Sequence, residues 1–142
     1  MEENLIAYAS INIAASSRKV WDALTDPDAI KEYMFNTHVV SDWRVGSSIV
    51  WQGEWQGRAY EDRGTILQLE PEAKIQYSHF SPLSGQPDLP ENYHIVTIEL
   101  STDEDQTRVA LIQDHNSTKE EREHSEQNWK MMLAALKKFM EK

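Results

Sequence analysis

Five histidines are the side chains of this sequence best suited to bind a metal or transfer a proton near neutral pH. They are His38, His79, His94, His115 and His124. None of them falls in the H-x-H or H-E-x-x-H spacing that places two ligands together on one strand or helix. We therefore predict no metal site and no cofactor. Only distant histidines that converge in the fold would create such a site.

Nucleophilic catalysis requires a serine, cysteine or similar group beside a base. The chain has no cysteine, and Ser78 next to His79 is its most suggestive pair. Adjacent residues of a strand point to opposite faces, so these two side chains are expected to diverge. G-x-S-x-G and the glycine-rich phosphate-binding patterns are absent as well. The sequence therefore predicts no catalytic nucleophile and assigns no catalytic residue.

Paired carboxylates offer acid–base chemistry if they face a cavity. Glu61 and Asp62 stand beside Arg63, and one of them could point inward. The formal charge of the chain is −10, however, and in so acidic a protein a solvated strand face is the favoured interpretation. Catalysis by a cavity carboxylate or histidine remains an alternative.

Aromatic residues recur where a ligand pocket would need apolar walls. Trp51 and Trp55 share one strand face, for which the pocket interpretation is favoured over simple core packing. For Trp129 both interpretations stay open.

The elements that must position these residues can be read from the apolar periodicity. Alternating apolar residues predict a strand over residues 5–14, and Ser16-Ser17 and Asp26-Pro27 predict the starts of two short helices. Between Val39 and His115 the pattern is that of strands joined by short turns, including a turn at Gln56-Gly57 and a bulge at Gly64. Strands connected in this way pair antiparallel.

The last quarter of the chain predicts one long helix. Ser117-Thr118-Lys119-Glu120 fits a capping box, and no Gly or Pro follows it. The apolar residues after it repeat at intervals of three and four: Trp129, Met132, Leu133, Leu136, Phe139 and Met140. We therefore predict an α+β fold in which a curved antiparallel sheet of about six to seven strands is closed by this helix across its concave face. A cavity between helix and sheet is expected.

Length, charge and termini limit the remaining possibilities. A chain of 142 residues is predicted to form one domain, residues 1–142. Its charge of −10 argues against nucleic acid and anionic membranes as partners. No signal-peptide pattern and no apolar run of membrane-spanning length is present, so a cytoplasmic protein is expected.

Several sequence blocks resemble one superfamily along essentially the whole chain. They are Ile13-Ala14-Ala15, the V-W-x-A-L-T-D-P block from Val20 to Pro27, Asp42 with Arg44-Val45-Gly46, Gly64 before Glu70-Pro71, and Trp129 to Leu133. These blocks resemble the START/SRPBCC superfamily, the helix-grip fold of the birch-pollen allergens. Within it they are most similar to the bacterial family named after the C-terminal domain of the heat-shock-protein ATPase activator. The resemblance implies a helix-grip domain with a hydrophobic cavity and no single activity.

We therefore predict that the protein binds a small hydrophobic or amphipathic molecule, whose identity the sequence does not specify, between the last helix and the sheet. The residues predicted to line this cavity are Trp51, Trp55, Tyr60, Tyr77, His79, Gln113, His115, His124, Asn128, Trp129 and Met132. A cyclase-like or lyase-like enzyme is one alternative. A chaperone-activating module is another, although the N-terminal domain that eukaryotic activators use on their chaperone has no counterpart in this sequence.

The first half of the long helix leaves one question open. Glu121, His124, Ser125 and Asn128 are polar where the apolar stripe should continue. Either this end of the helix is solvated, or it forms the polar end of the cavity together with His115.

Overall fold

The computed structural model describes residues 5–55, 57–82, 87–116 and 118–141 and contains seven strands and three α-helices. The strands are β1 (Leu5–Ile13), β2 (His38–Ser41), β3 (Ser48–Trp55), β4 (Arg58–Glu70), β5 (Lys74–His79), β6 (His94–Asp103) and β7 (Gln106–Asn116). The helices are α1 (Ser17–Thr25), α2 (Pro27–Tyr33) and α3 (Lys119–Met140), and Pro90–Asn92 form a 3-10 turn. The predicted α+β architecture is confirmed. Of the predicted turn at Gln56-Gly57, Gln56 lies outside the described residues.

The two short helices begin where their capping residues predict. The Ser16 side chain accepts a hydrogen bond from the Lys19 N–H at 3.2 Å, which satisfies a donor that α1 leaves unpaired. Asp26 accepts from the Asp28 N–H at 3.0 Å, and Pro27 occupies the first turn of α2. Their apolar sides, which include Val20 and Tyr33, are buried in the core.

The sheet is antiparallel throughout, with strand order β1-β7-β6-β5-β4-β3-β2. Helix α3 crosses it, contacting β1, β7 and α2. Met132, Leu133 and Leu136 of the predicted stripe are buried, and the remaining stripe residues, Trp129, Phe139 and Met140, are half-buried against the same core. The long helix therefore closes the concave side of the sheet, as predicted.

The N-cap of helix α3 lies one residue later than predicted. The N-cap is Thr118, whose side chain accepts from the Glu121 N–H at 3.0 Å. Thr118 and Glu121 themselves have the spacing of a capping box. The predicted cap, Ser117, lies outside the described residues.

Gly64 brings β4 and β5 unusually close together. A Cβ atom on Gly64 would lie 1.7 Å from the carbonyl oxygen of Ser78 on β5. The irregularity of this strand pair lies between Ile66 and Gln68, so the prediction of a bulge at Gly64 is wrong. Glycine is needed at this position because the neighbouring backbone occupies the space of a side chain.

No helix among the described residues is long and apolar enough to cross a membrane.

Candidate functional site

A cavity of about 700 Å³ lies between the first half of α3 and one end of the sheet. Its apolar lining residues are Met34, Phe35, Trp129, Met131 and Met132. Its polar lining residues are Thr37, Glu54, Tyr60, His79, Ser81, Asn92, His94, Gln113, Glu121, Ser125 and Asn128. Phe35 and Met131 are largely exposed and therefore place apolar surface beside the opening. The volume lies within the usual range of sites for small molecules.

The structure brings six of the eleven predicted lining residues into the wall of this cavity. They are Tyr60, His79, Gln113, Asn128, Trp129 and Met132. Whether they bind a ligand stays a prediction.

Four predicted lining residues lie elsewhere. Trp51 and Tyr77 are buried deeper in the core, where they border a separate space of only about 30 Å³. His115 has a positive φ of 60° and is exposed, with Nδ1 at 2.5 Å from Asp114 Oδ1. His124 is exposed on α3, one position away from the cavity-lining Ser125. The side chain of Trp55 lies outside the described part of the structure.

The first half of α3 is not simply a solvated helix end. Ser125 lies within hydrogen-bond distance of two buried amides of β7: Gln113 Nε2 donates to Ser125 Oγ at 3.3 Å, and Ser125 Oγ donates to Asn116 Oδ1 at 3.3 Å. The indole N–H of Trp129 donates to Gln113 Oε1. Asn116 in turn donates to the Leu5 carbonyl at 3.0 Å. This network holds α3 against β7 and β1. Of the polar residues Glu121, His124, Ser125 and Asn128, only His124 does not line the cavity.

Four side chains, Trp51, Asp62, His79 and His94, cross the inner face of the sheet in one row. Trp51 is paired with Asp62 across β3 and β4, and His79 is paired with His94 across β5 and β6. His79 Nε2 lies 2.9 Å from Asp62 Oδ2, which joins the two pairs. The Trp51 ring contacts the His79 ring edge-on, with centroids 4.9 Å apart. Indole packing and a carboxylate therefore hold the His79 imidazole in a defined orientation.

Tyr60 lies on the same strand face as Asp62, beside this row. Its cross-strand partner is Gly53, and a Cβ atom there would lie 2.5 Å from the Tyr60 hydroxyl oxygen. Gly53 thus leaves room for the phenol to lie across β3. The hydroxyl is 2.7 Å from Oγ1 of the buried Thr37, so either group can donate.

Sequence reasoning missed His94 as a residue of this site. Its Nε2 lies 3.3 Å from Glu121 Oε1, and its Nδ1 is buried with no hydrogen-bond partner among the described residues. Burial and the neighbouring His79 lower the pKa of His94, against the opposing effect of the Glu121 and Asp114 carboxylates. The alternation along β6 could have indicated it, because His94 lies on the same strand face as the buried Val96 and Ile98.

We predict that His94 makes the protein less stable in mild acid. The unfolded chain protonates this imidazole at its usual pKa of about 6.5, and the folded protein only at lower pH. Between these two pKa values the unfolded state binds more protons, so the free energy of unfolding falls as the pH decreases, by at most about 1.4 kcal/mol per pH unit.

Urea unfolding between pH 7 and pH 5 tests this expectation. His94→Gln should show a shallower decline than the wild type, and the exposed His124→Gln should follow the wild type. Equal declines in all three proteins would contradict the prediction.

Within the described ranges, no group of three or more His, Cys, Asp or Glu side chains is arranged to hold a metal ion.

Comparison with known proteins gives a consistent match. The model of the family described as "Activator of Hsp90 ATPase homolog 1-like protein" matches residues 14–141. The solution structure of ChR145 from Cytophaga hutchinsonii is 59% identical, with a TM-score of 0.87, covering 99% of this chain and 97% of ChR145. None of the curated proteins matches the sequence.

More distant structures share the fold. The solution structure of the Aha1 dimer from Colwellia psychrerythraea is 24% identical, with a TM-score of 0.74 and coverage of 96% of each chain. The crystal structure of CalU16 from Micromonospora echinospora is 22% identical, with a TM-score of 0.75, and covers 98% of this chain and 85% of CalU16. At these identities the likeness supports the helix-grip architecture.

Proposed function

The chain belongs to the family of activator of Hsp90 ATPase homolog 1-like proteins, and from this premise we propose that it binds a small, neutral, amphipathic molecule in the cavity beneath α3. The observation that carries the proposal is that the cavity lining combines apolar and polar side chains. A ligand with an aromatic or aliphatic body and one hydrogen-bonding group would match both.

The apolar lining suits the body of such a ligand. Trp129 and Met132 line the inner wall, and Met34, Phe35 and Met131 continue the apolar surface towards the exposed rim. Methionine side chains adapt their shape at little cost, which suits a wall that receives a flat or flexible molecule. Burial of apolar ligand surface here supplies the main favourable free energy.

The polar lining selects against negative charge. Glu54 and Glu121 lie in the wall, the formal charge of the chain is −10, and the lowered pKa of His94 keeps its imidazole neutral near pH 7. An anionic ligand would meet these like charges, and no lysine or arginine of the described residues lines the cavity to offset them. The same charge makes nucleic acid and anionic membrane surfaces unsuitable partners.

The alternative role as a chaperone activator has less support. The family description names an activator, but the likeness to the Colwellia Aha1 dimer, at 24% identity, supports the fold alone. No contact among the described residues favours that role over ligand binding.

Binding can be measured with prodan, a neutral naphthalene ketone whose fluorescence reports the polarity around it. Transfer into the cavity should shift its emission to the blue and quench Trp129. Asn128→Ala should weaken binding by about 0.5–1.5 kcal/mol, because Asn128 is a polar lining residue and can bond the ketone.

His124→Ala is the matched control. This side chain belongs to the same polar stretch of α3 but is exposed outside the cavity wall, so the affinity should not change. Absence of saturable binding, or equal affinities in the wild type and Asn128→Ala, would contradict the proposal. A third result is that prodan binds equally to Asn128→Ala and His124→Ala and loses affinity only when Phe35 and Met131 are replaced by Ser. That result would locate prodan at the rim instead.

A further inference from the structure

The row of Trp51, Asp62, His79 and His94, of which His79 and His94 line the cavity, contains an arrangement that can move a proton. We propose that His79 acts as a base on a carbonyl compound bound in the cavity, with Asp62 as its positioning residue and the Tyr60 hydroxyl as donor to the carbonyl oxygen. This inference rests on the proposed function, because the compound must first enter the cavity.

The orientation of His79 follows from its carboxylate partner. A carboxylate accepts hydrogen bonds and donates none, so the Nε2 atom 2.9 Å from Asp62 Oδ2 must carry the hydrogen. In the neutral imidazole the lone pair is then on Nδ1. No group in the described ranges forms a hydrogen bond with Nδ1, and His79 lines the cavity. The basic nitrogen is therefore available to a ligand.

Asp62 is placed to pair with the positive charge that the reaction would create on His79. One carboxylate oxygen contacts the imidazole, and the other, Oδ1, is buried without a hydrogen-bond partner among the described residues. A half-buried carboxylate with one hydrogen-bond partner among the described residues is stabilised by positive charge on that partner. It thus stabilises the imidazolium at the moment when Nδ1 accepts a proton, as a carboxylate does in catalytic triads.

His94 assists by remaining uncharged. It stands directly opposite His79 on β6, and its buried Nδ1 has no acceptor in the described structure for a second proton. Charge on His94 would oppose charge on His79. Charged and titratable groups near His79 include Asp62 from β4, His94 from β6 and, behind His94, Glu121 from α3. His79 can therefore become the single positive charge of this row.

Tyr60 supplies a donor for the negative charge that develops on oxygen. It lies two residues before Asp62 on the same strand face, about 7 Å along the backbone, and its ring extends across β3 beside Gly53. If Thr37 donates its hydroxyl hydrogen to Tyr60, the phenol hydrogen is free for the ligand. A donor aimed at a developing oxyanion contributes about 10²- to 10³-fold in rate.

The step that these groups support is enolisation. The proton leaves the carbon next to the carbonyl and binds His79 Nδ1. The electron pair of the C–H bond forms the carbon–carbon double bond, and the carbonyl pair moves to the oxygen, which accepts from Tyr60. Return of the proton to the same or a conjugated carbon restores His79. No oxidant, reductant or second substrate is required.

Deuterium exchange of 2-tetralone in D₂O tests this step by proton NMR at its activated C1 position. The wild type should accelerate exchange by about 10²-fold or more over free imidazole at equal concentration and pH. His79→Ala should return the rate to that background, and Tyr60→Phe should lower it at least 10-fold. The exposed His38→Ala is the control and should match the wild type.

A ligand-free measurement separates the positioning role of Asp62 from a structural one. Nitrogen-15 NMR of His79 should show the hydrogen on Nε2 in the wild type. In Asp62→Asn the amide can donate to Nε2, so the hydrogen should move to Nδ1 and exchange should fall with it. Displacement of prodan reports binding of 2-tetralone in each variant.

Failure of this inference is distinguishable from failure of the proposed function. Prodan displacement by 2-tetralone without exchange above the imidazole background would overturn the catalytic proposal and leave ligand binding intact. An Nδ1–H tautomer in the wild type, or full activity of His79→Ala, would also overturn it.

Discussion

Gly64→Ala is expected to lower the free energy of unfolding by about 3 kcal/mol, the upper end of the usual cost of overpacking. The added Cβ atom would lie 1.7 Å from the Ser78 carbonyl oxygen, a distance that no side-chain rotation can relieve. Strands β4 and β5 would have to separate where Asp62 and His79 meet. The contact between β4 and β5 should therefore weaken, and with it the part of the cavity wall that His79 forms.

Gly53→Ala is the matched comparison. There the clash is with the Tyr60 ring, whose hydroxyl oxygen would lie 2.5 Å from the new Cβ but can move with its side chain. We expect a loss below about 1 kcal/mol, together with altered prodan binding because Tyr60 lines the cavity. Urea unfolding monitored by circular dichroism measures both variants. Similar losses at the two glycines would contradict the distinction between backbone and side-chain clashes.

Trp129→Ala is expected to cost about 3 kcal/mol, the lower end of the range for removing a large aromatic side chain, because the ring is half-buried. The indole borders both the large cavity and the small space of the core, so its removal would join the two. It would also leave Oε1 of the buried Gln113 without its donor. Stability and the shape of the cavity should change in the same variant.

Trp129→Phe separates these two contributions. The benzene ring keeps most of the packing but has no N–H for Gln113, so a loss of about 1–2 kcal/mol is expected. Urea unfolding at a fixed pH compares the two variants with the wild type. A loss below about 1 kcal/mol for Trp129→Ala would show that the indole does not anchor α3.

The cavity and the core of this protein share their boundary residues. Trp129, Met132 and Met34 face the large cavity on one side and the small inner space on the other. Substitutions that enlarge the binding space at these positions will therefore also reduce stability. Asn128 and the rim residues Phe35 and Met131 are exposed, so variants at these positions can change ligand selectivity at lower cost.

The local elements of the fold could be predicted from the sequence because they depend on neighbours along the chain. Ser16 and Asp26 cap helices that begin within one residue of them, and the stripe from Trp129 to Met140 describes a helix face through its own spacing. Alternation in residues 5–13 likewise specified which side of β1 is buried. A single strong helix after a run of short-turn strands then restricts the architecture to few arrangements.

Which residues meet in the cavity depended on the tertiary structure. Parity places Trp51, Tyr77 and His79 on the inner face, but it does not say how far along the strands the cavity begins. His79 and His94 become direct neighbours only through the register of β5 and β6, and residues 80–93 between them do not specify that register. Asp62 reaches His79 because Gly64 lets two backbones approach, a contact between strands that local sequence cannot express. The sequence alone therefore determined the elements and their buried faces, whereas pairing between distant strands decided which polar groups share the site.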